Sequence, residues 1–358
     1  MIDLVWNFPL LPEQGEQWRG YLRRALEKMH PQDARELRPS FRGCDATLRE
    51  RAAKWLGTPV ERTWLSVGGH HGTLMSMMAA GMSGKTMAVE EITYTAALDQ
   101  SRMLGSSVVS VAFDSEGMLP DALRARCLAG KVDAVFVMPS VHNPLGYVAS
   151  FERREAIVAV AREFGLWMIE DDAYGYMAPH APPSYAKLAP ERVFYVRGMS
   201  KSYAPAAGTG FLVVPESVVG LMENVLKHTT TGSSLLHNTA TLDLIEDGTL
   251  DAVIAAKLAE GARRNKAARA VLGSAATPGA ECAWHLWVSL PGGMTSGTAQ
   301  RACAERGVMV SGAPGFTAPG VEVPRALRIG LGGEVEAERI EEGVRVVAEV
   351  IEGQMRNK

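Results

Sequence analysis

The chain has 358 residues, of which 47% are hydrophobic, and it carries a formal net charge of −3. This length allows two domains with cores of their own, and the composition gives no sign of disorder. Acidic and basic residues are evenly scattered, which predicts neither a nucleic-acid partner nor a membrane-binding patch. Four widely separated cysteines, and the lack of a leader-like or membrane-length apolar run, predict a reduced, cytoplasmic protein.

Strand-like apolar runs alternate with helix-like periodic segments between about residues 50 and 215. This alternation predicts a mainly parallel sheet with helices on both faces. The predicted strands are 87–90, 107–112, 132–138, 166–170, 194–197 and 210–214. Ser150 is expected to cap a helix that ends at Gly165, between the third and fourth of these strands.

The remainder of the chain predicts a smaller region of mixed helix and strand. Two helical stretches, at 218–227 and 235–246, lead into it. A helix at 253–270, strands at 282–290 and 308–311, and a closing helix at 335–352 follow.

Three polar segments each follow a predicted strand: Asn143-Pro144-Leu145-Gly146, the run Asp171-Asp172-Ala173-Tyr174, and Ser200-Lys201-Ser202. Taken singly, these segments are typical of a turn, a helix cap and a surface lysine. Open α/β sheets bind ligands beyond the carboxyl ends of their strands, so Asn143, Asp171 and Lys201 are predicted to share one cleft. A lysine that forms a Schiff base with a pyridoxal ring needs an acid and hydrogen-bond donors of this kind.

In their order and spacing, these segments resemble the fold type I aminotransferases of class I/II, which use pyridoxal 5′-phosphate (PLP). The resemblance extends from about residue 40 to 345 and is nearest to the group that includes the effector half of GntR-type regulators. It implies an α/β fold with a mainly parallel sheet in a large PLP-binding domain, 46–247, and a smaller α+β C-terminal domain, 248–358. Residues 1–45 would form an N-terminal arm and part of the small domain.

The resemblance also assigns roles to the cleft residues. Lys201 matches the lysine that carries PLP and acts as general base, and Asp171 matches the aspartate that pairs with the protonated ring nitrogen. Asp172 would then be a neighbour and not the partner. Asn143 and Tyr174 match the residues that bind the phenolic oxygen, which makes Lys201, Asp171 and Tyr174 the expected catalytic residues.

A glycine-containing turn before a predicted helix resembles the family's cradle for the cofactor phosphate, which works through backbone N–H groups. Gly69 and His70 are the expected contacts there, with Ser200 as a further one, and Tyr94 is expected to lie on the ring face. A plain strand-to-helix turn and a core tyrosine are the alternatives. His70 and His71 are adjacent and have no evident third ligand, so no metal is expected.

Arg328, within Ala326-Leu327-Arg328-Ile329-Gly330, matches the arginine that receives the α-carboxylate of the substrate. A guanidinium group binds a carboxylate in a planar, two-pronged contact, which would hold the substrate Cα–H facing Lys201. Asn143 is expected to contribute to the same substrate site.

Two positions depart from the family pattern. Relatives usually carry Ser or Thr, and then Arg, where this chain has Gly198 and Gly208, and both of those side chains bond the phosphate. We expect substitutes such as Arg197, Ser200 or Ser202, while weak cofactor binding and an altered pocket remain alternatives. The tyrosine that many relatives lend to the neighbouring subunit has no clear match around residues 39–43.

The resemblance implies PLP-dependent transfer of an amino group between an amino acid and a 2-oxo acid, in a homodimer. Because the same machinery serves lyases, racemases, decarboxylases and cyclases, another reaction of this fold is an alternative. A PLP-binding sensor without turnover, and a relative that no longer binds PLP, are further alternatives.

Overall fold

The computed structural model describes residues 1–29 and 46–356, so the segment around 39–43 lies outside the described residues. The strands are β1 (Ile2–Leu4), β2 (Thr63–Ser66), β3 (Thr86–Glu90), β4 (Ser107–Val111), β5 (Phe113–Asp114), β6 (Gly117–Met118), β7 (Ala134–Val137), β8 (Trp167–Asp171), β9 (Val193–Gly198), β10 (Gly210–Val213), β11 (His285–Ser289), β12 (Val308–Gly312) and β13 (Ala326–Gly330). The helices are α1 (Gln14–Lys28), α2 (Ala46–Leu56), α3 (Gly68–Ala79), α4 (Thr95–Met103), α5 (Pro120–Ala129), α6 (Phe151–Phe164), α7 (Tyr185–Leu188), α8 (Met199–Ser202), α9 (Met222–Thr229), α10 (Leu235–Glu246), α11 (Thr249–Leu272), α12 (Ser296–Glu305) and α13 (Ala337–Arg356).

A seven-stranded sheet organises the first two thirds of the chain, in the order β2-β10-β9-β8-β7-β3-β4. Strands β4, β3, β7, β8 and β9 pair in parallel, and β10 runs antiparallel to both of its neighbours. Every residue of β7 is buried, because helices cover both faces of the sheet. Burial on both faces explains why these strands are continuous apolar runs, and the predicted mainly parallel α/β fold is confirmed.

Helix α6 illustrates how the sequence produces the covering layer. The Ser150 hydroxyl accepts a hydrogen bond from the Arg153 N–H, which satisfies one of the free donors in the first turn. Gly165 ends the helix with φ 69°, a left-handed conformation that glycine adopts without steric cost. Ile157 and Ala161 face the sheet and belong to one buried apolar cluster with β7 and β8.

A second sheet of four strands has the order β1-β12-β13-β11. The first strand of the chain therefore forms one edge of a sheet with the last three, and it pairs with β12, with Ile2 in register with Val308. Two glycines let the segment after β1 pass close to β13. A Cβ atom on Gly330 would lie 2.6 Å from the Trp6 carbonyl oxygen, and one on Gly332 would lie 2.9 Å from the Pro9 nitrogen.

Two predicted elements differ from the structure. The expected helix 218–227 is a 3-10 turn, Glu216–Leu221, followed by α9, and Gly220 lies at the junction, where its low helix propensity favours the break. The expected strand 282–290 is shortened to β11, because the residues before it form a turn with the Ala283 N–H donating to the Ala280 carbonyl oxygen. The predicted division at residue 247 stays a prediction. Among the described helices, none has the length and apolarity needed to cross a membrane.

Candidate active site

The three residues predicted to share a cleft do lie at one edge of the seven-stranded sheet. Asp171 ends β8, Lys201 follows β9 in the short helix α8, and Asn143 follows β7. These strands are parallel neighbours in the order β9-β8-β7, so their carboxyl ends point the same way. The carboxylate of Asp171 raises the pKa of Lys201, which places their charges within electrostatic reach of each other.

Lys201 is held as an amine that is only weakly basic. Burial, followed by the positive charge of Arg328, lowers the pKa of Lys201 to about 7. Its Nζ donates a hydrogen bond to the Asn7 carbonyl oxygen at 2.6 Å and lies 3.5 Å from the centre of the Phe8 ring. Because a neutral amine is the nucleophilic form of lysine, this site is suited to covalent chemistry with a carbonyl group.

The adjacent carboxyl groups of Asp171 and Asp172 have different surroundings. Burial raises the pKa of Asp171 to about 7, although the Ala173 N–H donates to its Oδ1 at 3.0 Å. Asp172 accepts a hydrogen bond from the Tyr195 hydroxyl at 2.5 Å. A cation beside Asp171 would offset the cost of its burial, whereas Asp172 already has a partner in the fold.

Tyr174 and Asn143 are both buried polar groups of the cleft. Burial raises the pKa of Tyr174 to about 12, so its hydroxyl group keeps its proton at neutral pH. The Tyr174 oxygen accepts a hydrogen bond from the Asn7 side chain at 3.1 Å. Asn143 is 1% exposed, and in the described structure its side-chain oxygen has no hydrogen-bond partner. A ligand in this cleft would satisfy that group.

Arg328 lies in the middle of β13, opposite Ser311 of β12 and Trp287 of β11. Its Nη2 donates to the carbonyl oxygen of Val5 and, at 3.3 Å, to the Ser311 hydroxyl group. Both partners are neutral, and its buried Nε has no partner among the described residues. Burial lowers the pKa of Arg328. A buried guanidinium group with only neutral partners is costly, and an anionic ligand would offset that cost.

The predicted phosphate cradle is the first turn of α3. The residue before this helix, Val67, makes no side-chain cap, so the N–H groups of the first turn are left for another acceptor. A Cβ atom on Gly198 would lie 2.8 Å from the Gly69 nitrogen. The close approach of these two backbones therefore requires glycine at position 198, since the side chain of Ser or Thr would push α3 away from β9.

The structure also brings His70 and Tyr94 together. His70 Nε2 lies 2.6 Å from the Tyr94 hydroxyl oxygen, and their rings are 5.7 Å apart. Burial, and then the charge of Lys201, lowers the pKa of His70, so the imidazole is neutral at physiological pH. The two predicted cofactor contacts thus form one hydrogen-bonded pair close enough to Lys201 to be influenced by its charge.

Gly208 has φ +56°, and a Cβ atom there would lie 3.1 Å from Nδ1 of His237. The imidazole of His237 therefore fills the space beside residue 208. Gly210, two residues further on, packs against Gly68, where a Cβ atom would lie 2.7 Å from its carbonyl carbon. Gly208 therefore lies two residues before Gly210, which contacts the start of α3.

The expected substitutes for the missing phosphate contacts are placed differently from one another. Arg197 and Gly198 are neighbours in β9, so they face opposite sides of the sheet. On its side, the Arg197 guanidinium carbon lies 4.6 Å from the centre of the Trp55 ring. The Ser202 hydroxyl donates to the sulfur of the methionine three residues before it, at 3.8 Å. Ser200, partly exposed in α8, is left as the remaining candidate.

Three residues that surround Lys201 and Tyr174 were not predicted. Asn7 contacts Lys201 through its backbone and Tyr174 through its side chain, and His285 of β11 lies 3.2 Å from the Asn7 amide. Lys257 of α11 donates to the carbonyl oxygens of Lys201, at 3.1 Å, and of Tyr203. The spacing of apolar residues in α11 could have predicted a buried Lys257, because Lys257 falls on the same helical face as the buried apolar positions.

The fold is an α/β sheet with a buried lysine and a buried carboxyl group beyond its carboxyl edge, and a buried arginine whose charge acts on that lysine. The sequence matches the family described as aminotransferase class I and II over residues 22–347. The chain therefore belongs to this family.

Among solved structures, the chain superimposes on the α-aminoadipate aminotransferase LysN of Thermus thermophilus with a TM-score of 0.88, at 22% identity, over 100% of this chain and 94% of that one. An archaeal alanine:glyoxylate aminotransferase gives the same TM-score of 0.88, at 20% identity, over 99% and 91% of the two chains. These likenesses confirm the predicted fold type.

Among sequence relatives, the 2-aminoadipate transaminase of Thermus thermophilus is 24% identical over 86% of this chain and 80% of its own. The uncharacterized HTH-type transcriptional regulator YdeF of Bacillus subtilis is 22% identical over 82% of this chain. The chain spans 64% of the length of YdeF and 32% of a second such regulator, YdfD. Both kinds of relative are those that the sequence motifs indicate.

Proposed function

We propose that this protein is a PLP-dependent aminotransferase that moves an amino group between an amino acid and a 2-oxo acid. The observation that carries the proposal is the pKa of Lys201, which is lowered to about 7 by burial and by the charge of Arg328. One cleft therefore holds a nucleophilic amine and a buried guanidinium group whose bonds go to neutral oxygens. An amino acid presents the complementary groups, an amine and a carboxylate.

The residues fit PLP. The buried carboxyl of Asp171 would face the protonated pyridine nitrogen, the Asn143 side chain and the Tyr174 hydroxyl would bind the phenolic oxygen, and the first turn of α3 would receive the phosphate. When bound, PLP supplies an electron-accepting ring that stabilises negative charge on the substrate Cα.

Within that arrangement the protein holds the substrate and moves one proton. Arg328 binds the α-carboxylate and fixes the direction of the Cα–H bond. Once its nitrogen is free, Lys201 would take the proton from the substrate Cα and deliver it to C4′ of PLP, a role suited to a base whose pKa is near 7. Asp171 would stay ionised beside the protonated ring nitrogen, because an opposite charge favours its charged form.

We also propose amino acids and 2-oxo acids as the partners, a homodimer as the functional unit and the cytoplasm as the location. Support for a dimer comes from two exposed apolar residues that adjoin cleft residues in the chain: Trp6, 58% exposed, precedes Asn7, and Val67, 48% exposed, precedes α3. Exposed apolar groups that adjoin a functional site commonly pack against another protein surface. Sedimentation at assay concentration tests this proposal, and a fully active monomer would contradict it.

The decisive experiment combines a spectrum with a half-reaction. Purified protein saturated with PLP should show a visible absorption band, and addition of amino acids one at a time should convert the cofactor to its amine form and release a 2-oxo acid. A band without any such conversion across the standard amino acids would remove the aminotransferase proposal.

A PLP-binding effector region is the second candidate, favoured by the match to YdeF. In that case an amino acid would perturb the visible band without releasing a 2-oxo acid. Mass spectrometry of the low-molecular-weight fraction separates the two functions, because only amino transfer produces a 2-oxo acid in an amount that grows when a second 2-oxo acid is supplied.

A further inference from the structure

A chain of buried hydrogen bonds runs from the turn that carries Asn143 to the hydroxyl group of Tyr174. His285 Nε2 lies 3.0 Å from the His142 carbonyl oxygen, and His285 Nδ1 lies 3.2 Å from the Asn7 amide nitrogen. The same amide nitrogen lies 3.1 Å from the Tyr174 hydroxyl oxygen. His142, His285, Asn7 and Tyr174 are each at most 3% exposed, so water does not compete for these bonds.

The direction of each bond follows from the chemistry of its atoms. A carbonyl oxygen only accepts, so His285 Nε2 must carry the proton that it shares with His142. Burial lowers the pKa of His285 to about 3, and the ring is therefore neutral. Its Nδ1 consequently has a lone pair and no proton, and it can only accept a hydrogen bond.

This tautomer fixes the orientation of the Asn7 side chain. The atom facing His285 Nδ1 must be a donor, which is the amide nitrogen and not the amide oxygen. That nitrogen has two hydrogen atoms, one for His285 and one for the Tyr174 oxygen. Tyr174 accepts in this bond, so its own hydroxyl proton is left to point elsewhere.

We propose that Asn7 is a positioning residue for the reaction, one that His285 orients and that directs the Tyr174 hydroxyl proton into the cleft, toward the place of the cofactor's phenolic oxygen. The inference rests on the proposed function and adds a residue to it. Without Asn7, the Tyr174 hydroxyl group could rotate and would no longer be committed as a donor to the cofactor.

The fold keeps Asn7 in this place. Strand β1 pairs with β12, and an isolated parallel bridge joins Asn7 to Gly332. Glycine at 332 is needed because a Cβ atom would meet the backbone at Phe8 and Pro9, at 3.1 and 2.9 Å. The Asn7 carbonyl also accepts the hydrogen bond from Lys201 at 2.6 Å, so Asn7 contacts both Lys201, through its backbone, and Tyr174, through its side chain.

Several ionisable groups face Tyr174 from other elements, and any of them influences a titration in this cleft. They are Asp171, Lys201 at 5.7 Å from the Tyr174 ring, Tyr94, Tyr176 and Arg328. The experiment must therefore separate the effect that passes through Tyr174 from a general change of charge. A double-mutant cycle between Asn7 and Tyr174 does so.

The measurement is the pKa of the visible absorption band of PLP-loaded protein, for wild type, Asn7→Leu, Tyr174→Phe and the double variant. A donor to the phenolic oxygen weakens that oxygen's hold on the proton it shares with the lysine nitrogen. Asn7→Leu should therefore raise the pKa of the band by about 0.5 to 1 unit, the effect of one hydrogen bond. In the Tyr174→Phe background, Asn7→Leu should add no further shift. His285→Phe should raise the pKa in the same direction as Asn7→Leu.

Asn224→Ala, at an exposed asparagine of α9, is the control and should leave the band unchanged. If Asn7→Leu does not fold, Asn7→Ala replaces it in the cycle. An unshifted pKa in Asn7→Leu, or an equal shift with and without the Tyr174 hydroxyl group, would overturn the inference. Wild-type protein with no visible band under saturating PLP would instead overturn the proposed function, so the two failures are distinguishable.

Discussion

The two ends of the cleft are built on different principles. At one end, which we call the side-chain end, Asp171, Lys201 and Arg328 are buried ionisable groups: burial raises the pKa of Asp171 and lowers the pKa values of Lys201 and Arg328. At the other, the glycine end, Gly198 and Gly208 replace side chains, and backbone groups of α3 and an imidazole come close instead. The side-chain end matches the family pattern in every residue named, whereas the glycine end departs from it.

The difference teaches how much of a site depends on side chains. A proton transfer needs groups of defined pKa, which only particular side chains supply. An anion can be held by backbone N–H groups of almost any sequence, so that end tolerates replacement. We expect substitutions at the side-chain end to reduce turnover strongly and substitutions at the glycine end to change affinity for the cofactor alone.

The largest effect is expected from Asp171→Asn, which would remove the charge that we propose to lie opposite the ring nitrogen of PLP. We expect kcat/KM for amino transfer to fall about 10²- to 10³-fold, the usual loss when a positioned electrostatic group is removed. The folded protein should not lose stability above pH 7, since an unfavourable buried charge is removed as well.

Asp172→Asn, one residue along, provides the matched comparison. Its carboxyl is engaged by Tyr195, so this variant should affect the free energy of unfolding more than turnover. Equal kinetic losses in Asp171→Asn and Asp172→Asn would contradict the division of labour between the two residues.

Arg328→Ala should leave the visible band of the PLP-loaded protein nearly intact and remove most of the reaction with an amino-acid donor. The substrate loses a two-pronged contact and the alignment of its Cα–H bond, so we expect a loss in kcat/KM on the order of a hundredfold. Arg325→Ala, at an arginine three residues earlier that is less buried, serves as control. Unchanged rates in Arg328→Ala would show that the carboxylate is bound elsewhere.

At the glycine end, Gly208→Arg alone should not tighten PLP binding. The space beside residue 208 is occupied by His237, whereas the strain of a side chain at φ +56° lowers the stability of the single and the paired variant alike. When combined with His237→Ala, the arginine has room, and affinity should rise about tenfold over His237→Ala alone, the value of one charge-assisted bond to a phosphate.

Pyridoxal, which lacks the phosphate, is the control ligand and should bind His237→Ala and the paired variant equally. Tighter binding by the single Gly208→Arg variant would mean that His237 moves aside. No gain in the paired variant would mean that the phosphate does not lie at the glycine end.

The smallest effect concerns Lys257 and the pH dependence of stability. Burial lowers the pKa of Lys257 from 10.5 to about 7 in the folded protein. Between these values the unfolded chain binds one more proton than the folded one, so the free energy of unfolding rises with pH and this contribution is lost as pH falls toward 7.

Lys257→Met should therefore reduce the rise in the free energy of unfolding between pH 8 and 9 by about 1.4 kcal/mol. Denaturant titrations at the two pH values give this difference, and Lys54→Met, at an exposed lysine, should leave it unchanged. An identical pH dependence in Lys257→Met and wild type would show that the pKa of Lys257 is not lowered in the folded protein.

Local sequence patterns were sufficient where function and structure coincide at a strand end. Asn143, Asp171 and Lys201 each follow an apolar run, and parallel strand order then brings them together. Asn7 was not predictable in this way, because its position depends on β1 pairing with a strand near the other end of the chain, in the register Ile2 to Val308. His237 was missed for the same reason, since its contact with Gly208 links α10 to a loop through packing alone.

The central claim, that Lys201 carries PLP, is tested most directly by reducing the PLP-loaded protein with borohydride and mapping the labelled peptide. Lys257 makes the test stringent, because it is a second buried lysine whose pKa is also lowered to about 7, and it contacts the backbone of Lys201. We predict a single label on the peptide that contains Lys201 and none in Lys201→Ala. A label on Lys257 or any other lysine, or no label in cofactor-saturated protein, would contradict the assignment.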